Sequence, residues 1–156
     1  MQKDQYFYVY NVFTNFNSEY KLNPEELYVY SKLCTLRTFE CKIYSTFEWL
    51  SSLIKLNANK TQNIRKIKTI LQSLRKKKIV DYSDVEKNDE VFVISFCDDH
   101  DFKEGGYESI TYNEFKSFTD VYDYYIYICV KRQKAKKVEF SLSQWEVLLE
   151  VTRKTA

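Results

Sequence analysis

Glycine and proline are scarce in this chain, with 2 glycines and 1 proline among 156 residues. Average usage would give roughly eleven glycines, at about 7% of residues. Both residue types favour turns and interrupt helices, so their scarcity favours helical segments over a turn-rich all-β fold. The aromatic content acts in the opposite direction, because 14 tyrosines and 11 phenylalanines are typical of strands. We therefore expect an α+β fold in which helices predominate.

Sequence features of metal sites and of catalysis are also lacking. The four cysteines form no CxxC pair, and His100 is the only histidine, so zinc-ligand spacing is absent. Gly105-Gly106 lacks the Lys and Ser or Thr that complete a phosphate-binding loop. Asp98-Asp99-His100-Asp101 resembles an acid–base or metal cluster, but it falls in a predicted linker without a nucleophile nearby. We expect no enzyme activity, no metal and no cofactor.

Long hydrophobic runs are missing, since no stretch approaches 18 uncharged apolar residues. Residues 1–4 lead directly into an aromatic segment, without the apolar core and cleavage site of a secretory signal. The scattered cysteines (Cys34, Cys41, Cys97 and Cys129) are typical of reduced core thiols. We expect a cytoplasmic protein that has no membrane contact and no small-molecule substrate.

Acidic residues are absent between Trp49 and Val80, although the whole chain is near neutral at a net charge of +2. Nine basic residues lie in this segment: Lys55, Lys60, Arg65, Lys66, Lys68, Arg75, Lys76, Lys77 and Lys78. A local excess of positive charge on a helix suits nucleic-acid phosphates, although a run of lysines can also be a solvated helix face.

Two helix starts are marked by capping residues. Asn23-Pro24-Glu25-Glu26 places an N-cap, a first-turn proline and two acids at the positive end of a helix dipole. Ser45-Thr46-Phe47-Glu48 fits a capping box with Ser45 as the cap. We expect this second helix to bury Trp49, Leu50, Leu53 and Ile54. Residues 41–44 are a strand candidate between the two helices, and residues 7–16 are expected to be extended or a short helix.

A longer helix is predicted from about Lys60 to Lys77, with Ile64, Ile67, Leu71 and Leu74 as its apolar stripe. Its basic end, residues 75–78, suits the helix dipole and backbone phosphates. A hairpin is predicted next, with strands at residues 79–82 and 91–96. Its loop contains four acids and Lys87.

The order helix, strand, helix, turn, basic helix, hairpin resembles the winged helix-turn-helix family over residues 22–96. Trp49-Leu50 with Leu53-Ile54, the Ile64 to Leu74 stripe and Ile79-Val80 carry the resemblance. Many members of that family have glycine just before the wing strand, where this chain has Lys78. The resemblance implies that the basic helix lies in the major groove of DNA.

The resemblance nominates side chains for DNA contact. Candidates for the base edges are Lys60, Gln62, Asn63, Arg65 and Lys66. Candidates for phosphate or sugar are Thr61, Lys68 and Thr69, and Lys87 at the hairpin tip is a further phosphate candidate. The acidic loop around Lys87 repels phosphate, so this hairpin can instead cover the core or contact a basic patch on a partner subunit.

An internal repeat is indicated by three ordered matches. Residues 10–16 match 112–118, residues 28–30 match 125–127, and residues 44–49 match 140–145. We expect a winged-helix domain at 1–97, a linker at 98–106 and a partial second winged-helix-like unit at 107–156. Ala156 corresponds to about Lys60, so the second copy is either cut short in a fragment or lacks its reading helix.

These patterns predict a protein that binds double-stranded DNA in a sequence-specific manner. The chain resembles tandem winged-helix replication initiators and regulators of Gram-positive plasmids and phages. This implies origin binding or transcriptional regulation and leaves open a homodimer. The alternatives are a winged-helix protein-interaction or dimerisation module, or a conjugation (relaxosome) accessory protein.

Overall fold

The computed structural model describes residues 5–38, 40–97 and 105–133. Within these ranges the chain is α+β, with helices and two small antiparallel sheets. Contacts divide it into two compact units. The central unit is Lys32–Asp99, and the terminal unit combines Met1–Ser31 with His100–Ala156. In the part of the chain described, no helix is both long and apolar enough to cross a membrane.

The central unit contains a three-stranded sheet and two helices joined by a short turn. Its elements are β2 (Lys42–Ser45), α2 (Phe47–Leu53), α3 (Lys60–Lys76), β3 (Val80–Tyr82) and β4 (Phe92–Phe96). The sheet order is β2-β4-β3, so β4 pairs antiparallel with both neighbours. Ile94 lies opposite Ile43 on one side and Tyr82 on the other, and all three side chains are buried. The expected strand at 41–44 and the expected hairpin are confirmed.

The first predicted helix start is confirmed at α1 (Pro24–Leu36). The Asn23 side chain accepts a hydrogen bond from the Glu26 amide at 2.8 Å, and Glu26 accepts one from the Asn23 amide at 3.0 Å. These reciprocal bonds satisfy two amide groups that the helix itself leaves unpaired. The boundary between the two units falls within α1, after Ser31.

The second predicted helix start is wrong by one residue. Thr46 is the N-cap of α2, because its hydroxyl accepts a hydrogen bond from the Trp49 amide at 3.0 Å. Ser45 instead remains in β2, where it lies opposite Phe92. The position three residues after the true cap is Trp49, so the expected pairing of Ser45 with Glu48 does not form.

Trp49 is not a core residue, contrary to expectation. Its side chain is 44% exposed, whereas Phe47, Leu50 and Ile54 are buried. Because α2 begins at Phe47, Phe47 and Leu50 share the inward face at a three-residue spacing and Trp49 falls outside it. The other tryptophan, Trp145, lies outside the described residues.

The α3 prediction is confirmed in extent and burial. Ile64, Ile67, Leu71 and Leu74 are all buried, and Ile70 joins them. The helix ends in a Schellman motif: the Ile79 amide donates to the Leu74 carbonyl and the Lys78 amide to the Arg75 carbonyl, both at 3.0 Å. Lys78 therefore adopts a left-handed conformation with φ of 60°, which glycine accepts at less cost.

The terminal unit joins segments that are far apart in sequence. Strand β1 (Tyr6–Tyr10) pairs antiparallel with β5 (Tyr107–Thr111). A 3₁₀ turn (Asn11–Thr14) follows β1, while α4 (Tyr112–Lys116) and α5 (Val121–Gln133) follow β5. The unit boundaries thus differ from the expected domain at 1–97, because β1 finds its partner beyond residue 106. The expected linker at 98–106 lies mostly outside the described residues. Of the expected second unit, residues 107–133 are described and contain β5, α4 and α5. Its assignment as a partial winged-helix-like unit stays a prediction.

The first two repeat matches fall on like elements. Residues 10–16 contain the short helical turn that comes after β1. Residues 112–118 contain α4, the short helix that comes after β5. The second match places Tyr30 in α1 and Tyr127 in α5. Aromatic rings fill the core of this unit, with the Phe115 ring 5.9 Å from Phe7 and 5.0 Å from Tyr124. The third match is untested, because residues 140–145 lie outside the described residues.

Two of the four cysteines depart from the expected core position. Cys34 and Cys129 are buried, whereas Cys41 is exposed and Cys97 is partly exposed. Cys41 has a left-handed backbone with φ of 59°, in a turn where its amide donates to the Thr38 carbonyl. This turn leads into β2 and places the Cys41 side chain at the surface.

Candidate nucleic-acid interface

The turn between α2 and α3 is stabilised by asparagine side chains. Asn59 caps α3, since its side-chain oxygen accepts from the Gln62 amide at 3.1 Å. The Asn57 side chain in turn accepts from the Asn59 amide at 2.8 Å. These short-range bonds fix where α3 begins and therefore which of its side chains point outward.

Asn63 lies at the centre of this turn and is only 2% exposed. Its Oδ1 accepts hydrogen bonds from the amides of Leu56 at 2.7 Å and Asn57 at 3.1 Å. Its Nδ2 donates to the Ile54 carbonyl at 2.7 Å and to Ser51 Oγ at 2.9 Å. Since the whole amide is used inside the unit, Asn63 is a structural residue, and its nomination as a base reader is wrong.

One continuous row of side chains covers the outward surface of α3. We call this row the outer stripe; it comprises Gln62, Arg65, Thr69, Gln72 and Lys76. All five are exposed, and they recur at alternating spacings of three and four residues, which places them on one helix face. Amide, hydroxyl and cationic groups in such a row can contact both base edges and phosphates. Gln72 was missed in the sequence because it lies beyond the first turns.

The other nominated residues of α3 flank the outer stripe. Thr61 and Lys66 are exposed. Lys60 is 69% exposed, and its Nζ lies 3.8 Å from the Glu48 carboxylate. The Lys68 side chain is half-buried, with its Nζ 5.2 Å from the centre of the Phe47 ring. Thr69 is exposed and donates its hydroxyl to the Arg65 carbonyl at 3.0 Å.

Arg75 is held by the hairpin, although the sequence assigned it to the helix dipole and to phosphates. Its Nη1 donates to the Tyr82 carbonyl at 3.0 Å and lies 3.0 Å from Asp84 Oδ1. Its guanidinium also lies 4.2 Å from the centre of the Tyr82 ring. These contacts fasten the end of α3 to β3, so Arg75 belongs to the fold and Lys76 is the outward cation here.

The hairpin loop, residues 83–90, is packed against α2. The Asn88 carbonyl accepts a hydrogen bond from the Glu48 amide at 3.0 Å, and the Phe47 and Phe92 rings stack at 4.6 Å. Lys87 is exposed at the tip of this loop, where its carbonyl accepts from the Glu90 amide at 3.2 Å. The structure thus places Lys87 on the surface, but among acidic neighbours and away from the outer stripe in sequence.

An open pocket of about 600 Å³ lies at the turn between α2 and α3. Its lining residues are Glu48, Ser51, Ser52, Lys55, Leu56, Asn57, Ala58, Lys60 and Asn63. The lining combines the cations Lys55 and Lys60, serine hydroxyl groups and backbone at the start of α3, together with the Glu48 carboxylate, which lies 3.8 Å from Lys60 Nζ. This composition suits a polar ligand better than an apolar one.

A cluster of titratable side chains ties α4 to α5 in the terminal unit. The Glu114 carboxylate accepts hydrogen bonds from Lys131 Nζ at 2.8 Å and from the Tyr127 hydroxyl. Burial alone would raise the pKa of Glu114, but these bonds outweigh it, so its pKa lies below the usual value. Burial and the bond to Glu114 raise the pKa of Tyr127 to about 12. Tyr127 therefore stays protonated at neutral pH and acts as a donor in this tie.

Searches for similar proteins add no family assignment. No protein-family model, no curated protein and no solved structure matches the chain. Within the described ranges, no group of three or more His, Cys, Asp or Glu side chains is placed to hold a metal ion. His100 lies outside these ranges.

Proposed function

We propose that the central unit is a winged helix-turn-helix domain that binds double-stranded DNA with α3 in the major groove. Within Lys32–Asp99, the order of the end of α1, β2, α2, the turn, α3, β3 and β4 supports this assignment, as does the sheet order β2-β4-β3. In such a domain the helix after the turn reads the groove, and its exposed face must then be polar and cationic.

The outer stripe is the observation that carries this proposal. Helix α3 contains six basic residues and no acid, and its apolar side chains all face inward. Gln62 matches the edge of adenine and Arg65 the edge of guanine, while Lys76 suits a phosphate. Asn63 supports the proposal indirectly, because its hydrogen bonds fix the orientation of α3 against α2.

For the biological role, we propose binding at a replication origin or an operator of a plasmid or phage. This proposal follows from the resemblance of the sequence to replication initiators and regulators. The alternative of a protein-interaction module has support from the acidic hairpin loop, which does not suit a DNA surface. Relaxosome assembly remains a variant of the DNA-binding proposal, with the same outer stripe.

The test is a mobility-shift titration with duplexes selected from a random-sequence pool by the wild-type protein. Arg65→Glu should lower affinity by at least about 100-fold, because it replaces an attraction with a repulsion at the groove. Lys116→Glu, an equal charge change on α4, is the matched control and should have little effect. Equal affinities for wild type and Arg65→Glu would place the contact elsewhere.

Salt dependence provides an independent measurement of the same surface. Each phosphate neutralised contributes a slope of about −0.9 in the plot of log affinity against log salt concentration. Lys76→Gln should reduce the slope by about one unit if Lys76 contacts a phosphate. A flat salt response of the wild-type protein would favour the interaction-module alternative.

A further inference from the structure

The three-stranded sheet of the central unit has two sides with different surroundings. Successive residues of a strand point to opposite sides of a sheet. On the inner side, the Phe92 ring stacks on the Phe47 ring of α2 at 4.6 Å. On the same side, the Tyr82 ring lies 4.2 Å from the Arg75 guanidinium of α3. Both helices therefore pack on the inner side of the sheet.

The residues that alternate with these inward positions lie on the other side of the sheet. We call this side the outer sheet face; it comprises Lys42, Tyr44, Asp81, Val93 and Ser95. All five are exposed or partly exposed, and Tyr44 is 56% exposed. The side of an antiparallel sheet that faces water is normally polar, but Tyr44 and Val93 lie directly opposite each other here. Val91, which directly precedes β4, is 67% exposed and adds a third apolar side chain at the surface.

Two opposite charges lie at the two edges of the outer sheet face. The register places Lys42 of β2 opposite Ser95 of β4, and Ser95 opposite Asp81 of β3. Neighbouring strands are about 4.8 Å apart, so about 10 Å separates the backbones of Lys42 and Asp81. The Asp81 carboxylate accepts a hydrogen bond from the Tyr82 amide at 3.0 Å. Among the described residues, neither Lys42 nor Asp81 forms an ion pair, so both charges can take a partner from another molecule.

The positions of these two charges make the outer sheet face complementary to itself. Two sheets pack face to face about 10 Å apart, with their strands nearly aligned. A two-fold axis parallel to β4 places β2 of one copy over β3 of the other, so each Lys42 meets the Asp81 of the other copy. The same rotation sets Ser95 over Ser95 and Val93 over Val93. A two-fold axis across the strands at this row would instead bring Lys42 against Lys42, so the charges favour the axis along β4.

We propose that two copies of the chain associate through their outer sheet faces, with the two-fold axis along β4. The second copy supplies a carboxylate for Lys42, a cation for Asp81 and an apolar cover for Tyr44 and Val93. The strands contain 3 to 5 residues each, so the face is smaller than the roughly 800 Å² per partner of a standard interface. The dimer is therefore weak and forms only at high protein concentration.

The association leaves the outer stripe of α3 uncovered, because α3 packs on the inner side of the sheet. A dimer then presents two α3 helices related by a two-fold axis, which matches a palindromic duplex site. The interface itself depends only on the sheet, whereas this consequence rests on the function proposed above.

Charge reversal in the full chain tests the interface. Sedimentation velocity at protein concentrations up to about 1 mM, where weak association is populated, should show a dimer for wild type. The dissociation constant should rise at least about tenfold in Lys42→Asp and in Asp81→Lys, because each variant sets like charges together at two places. An equimolar mixture of the two variants should return to the wild-type value, since every contact then pairs opposite charges. The double variant alone should do the same.

A pair of tyrosine variants provides the matched control for the apolar contact. Tyr44→Ser should weaken the dimer, whereas Tyr107→Ser, at a position of the terminal unit that is 49% exposed, should dimerise like wild type. Circular dichroism checks that every variant is folded. A wild type that stays monomeric at every concentration, or a mixture that associates no better than the single variants, overturns the interface.

Duplex binding separates the interface from the proposed function. A duplex selected by the wild-type protein should bind two copies, and Lys42→Asp should bind it with lower cooperativity. A single copy on every selected duplex overturns the paired arrangement of the α3 helices. A dimer that binds no duplex overturns the proposed function and leaves the interface standing.

Discussion

The side-chain amide of Asn63 donates to the carbonyl of Ile54 at 2.7 Å and so joins the start of α3 to the end of α2. Ile54 is the C-cap of α2, and Asn63 lies in the first turn of α3. One buried side chain therefore fixes the geometry between the two helices. The neighbouring Gln62 bears the same functional group about 100° away around the helix, where it is exposed to solvent.

Replacing Asn63 by alanine should lower the free energy of unfolding by about 2–4 kcal/mol, because several buried polar groups lose their partner. Gln62→Ala is the matched control and should change stability by no more than about 0.5 kcal/mol. Chemical denaturation measures both. The same Gln62 variant should bind duplex DNA more weakly. Similar stabilities for the two variants would contradict the assigned division of roles.

Replacing Lys78 by glycine should stabilise the protein by about 1 kcal/mol, because glycine adopts the left-handed conformation without the Cβ penalty. Lys77→Gly is the control: its φ is −80°, so glycine there removes no strain and should be neutral or destabilising. Thermal unfolding of the two variants gives the comparison. A Lys78→Gly protein that is less stable than wild type would show that the Lys78 side chain contributes contacts.

Replacing Trp49 by alanine should cost about 1–2 kcal/mol of stability, since its side chain is 44% exposed and buries only about half of its apolar area. Leu50→Ala, one residue later, should cost about 2–5 kcal/mol because Leu50 is fully buried. Denaturant titrations of both variants distinguish the observed start of α2 from the expected one. If α2 began one residue earlier, Trp49 would be buried, and the two substitutions would cost similar amounts of stability.

The tie between Glu114 and Tyr127 should make stability depend on pH at both extremes. The pKa of Glu114 is lowered by folding, so its contribution is present above its unfolded pKa of 4.5 and is lost as pH falls through the lower folded value. Glu114→Gln should therefore be less stable than wild type at pH 7. The difference should shrink as pH falls below about 4, where the wild-type carboxyl also becomes neutral. A gap that stays constant from pH 7 to pH 3 would contradict this role.

At alkaline pH the sign follows from Tyr127. Folding raises its pKa from 10.0 to about 12, so its contribution is full below pH 10 and is lost as pH rises towards 12. Tyr127→Phe should flatten this part of the stability profile. Circular dichroism during thermal unfolding at a series of pH values measures the effect, and an unchanged alkaline slope would show that other groups cause it.

Features encoded locally in the sequence were predictable, and tertiary ones were not. The Asn23 cap and the inward stripe of α3 depend on residues three or four positions apart, which the sequence displays directly. Asn63 was misassigned because its partners, Ser51 and Ile54, lie on a different element. An asparagine at this position carries the same sequence signal whether it points outward or inward.

Two other misassignments have specific physical causes. Ser45 and Thr46 are both good caps, and the choice between them was made by the pairing of Ser45 with Phe92 in the sheet. Because α2 starts one residue later than expected, Trp49 lies outside its inward face. The pairing of β1 with β5 was missed because 105 positions separate Tyr6 from Thr111, and no local pattern reports a contact over that distance. The internal repeat was the one sequence signal that related these two segments.

The split composition of the terminal unit has a consequence for synthesis on the ribosome. At about 5–20 residues per second, the 105 positions between Tyr6 and Thr111 take about 5–20 s to translate. The apolar side chains of Phe7 and Val9 have no strand partner during that interval, in which the whole of Lys32–Asp99 is synthesised. Strand β1 is thus made before the central unit but paired after it, and nascent-chain chaperones would meet an unpaired aromatic strand during this time.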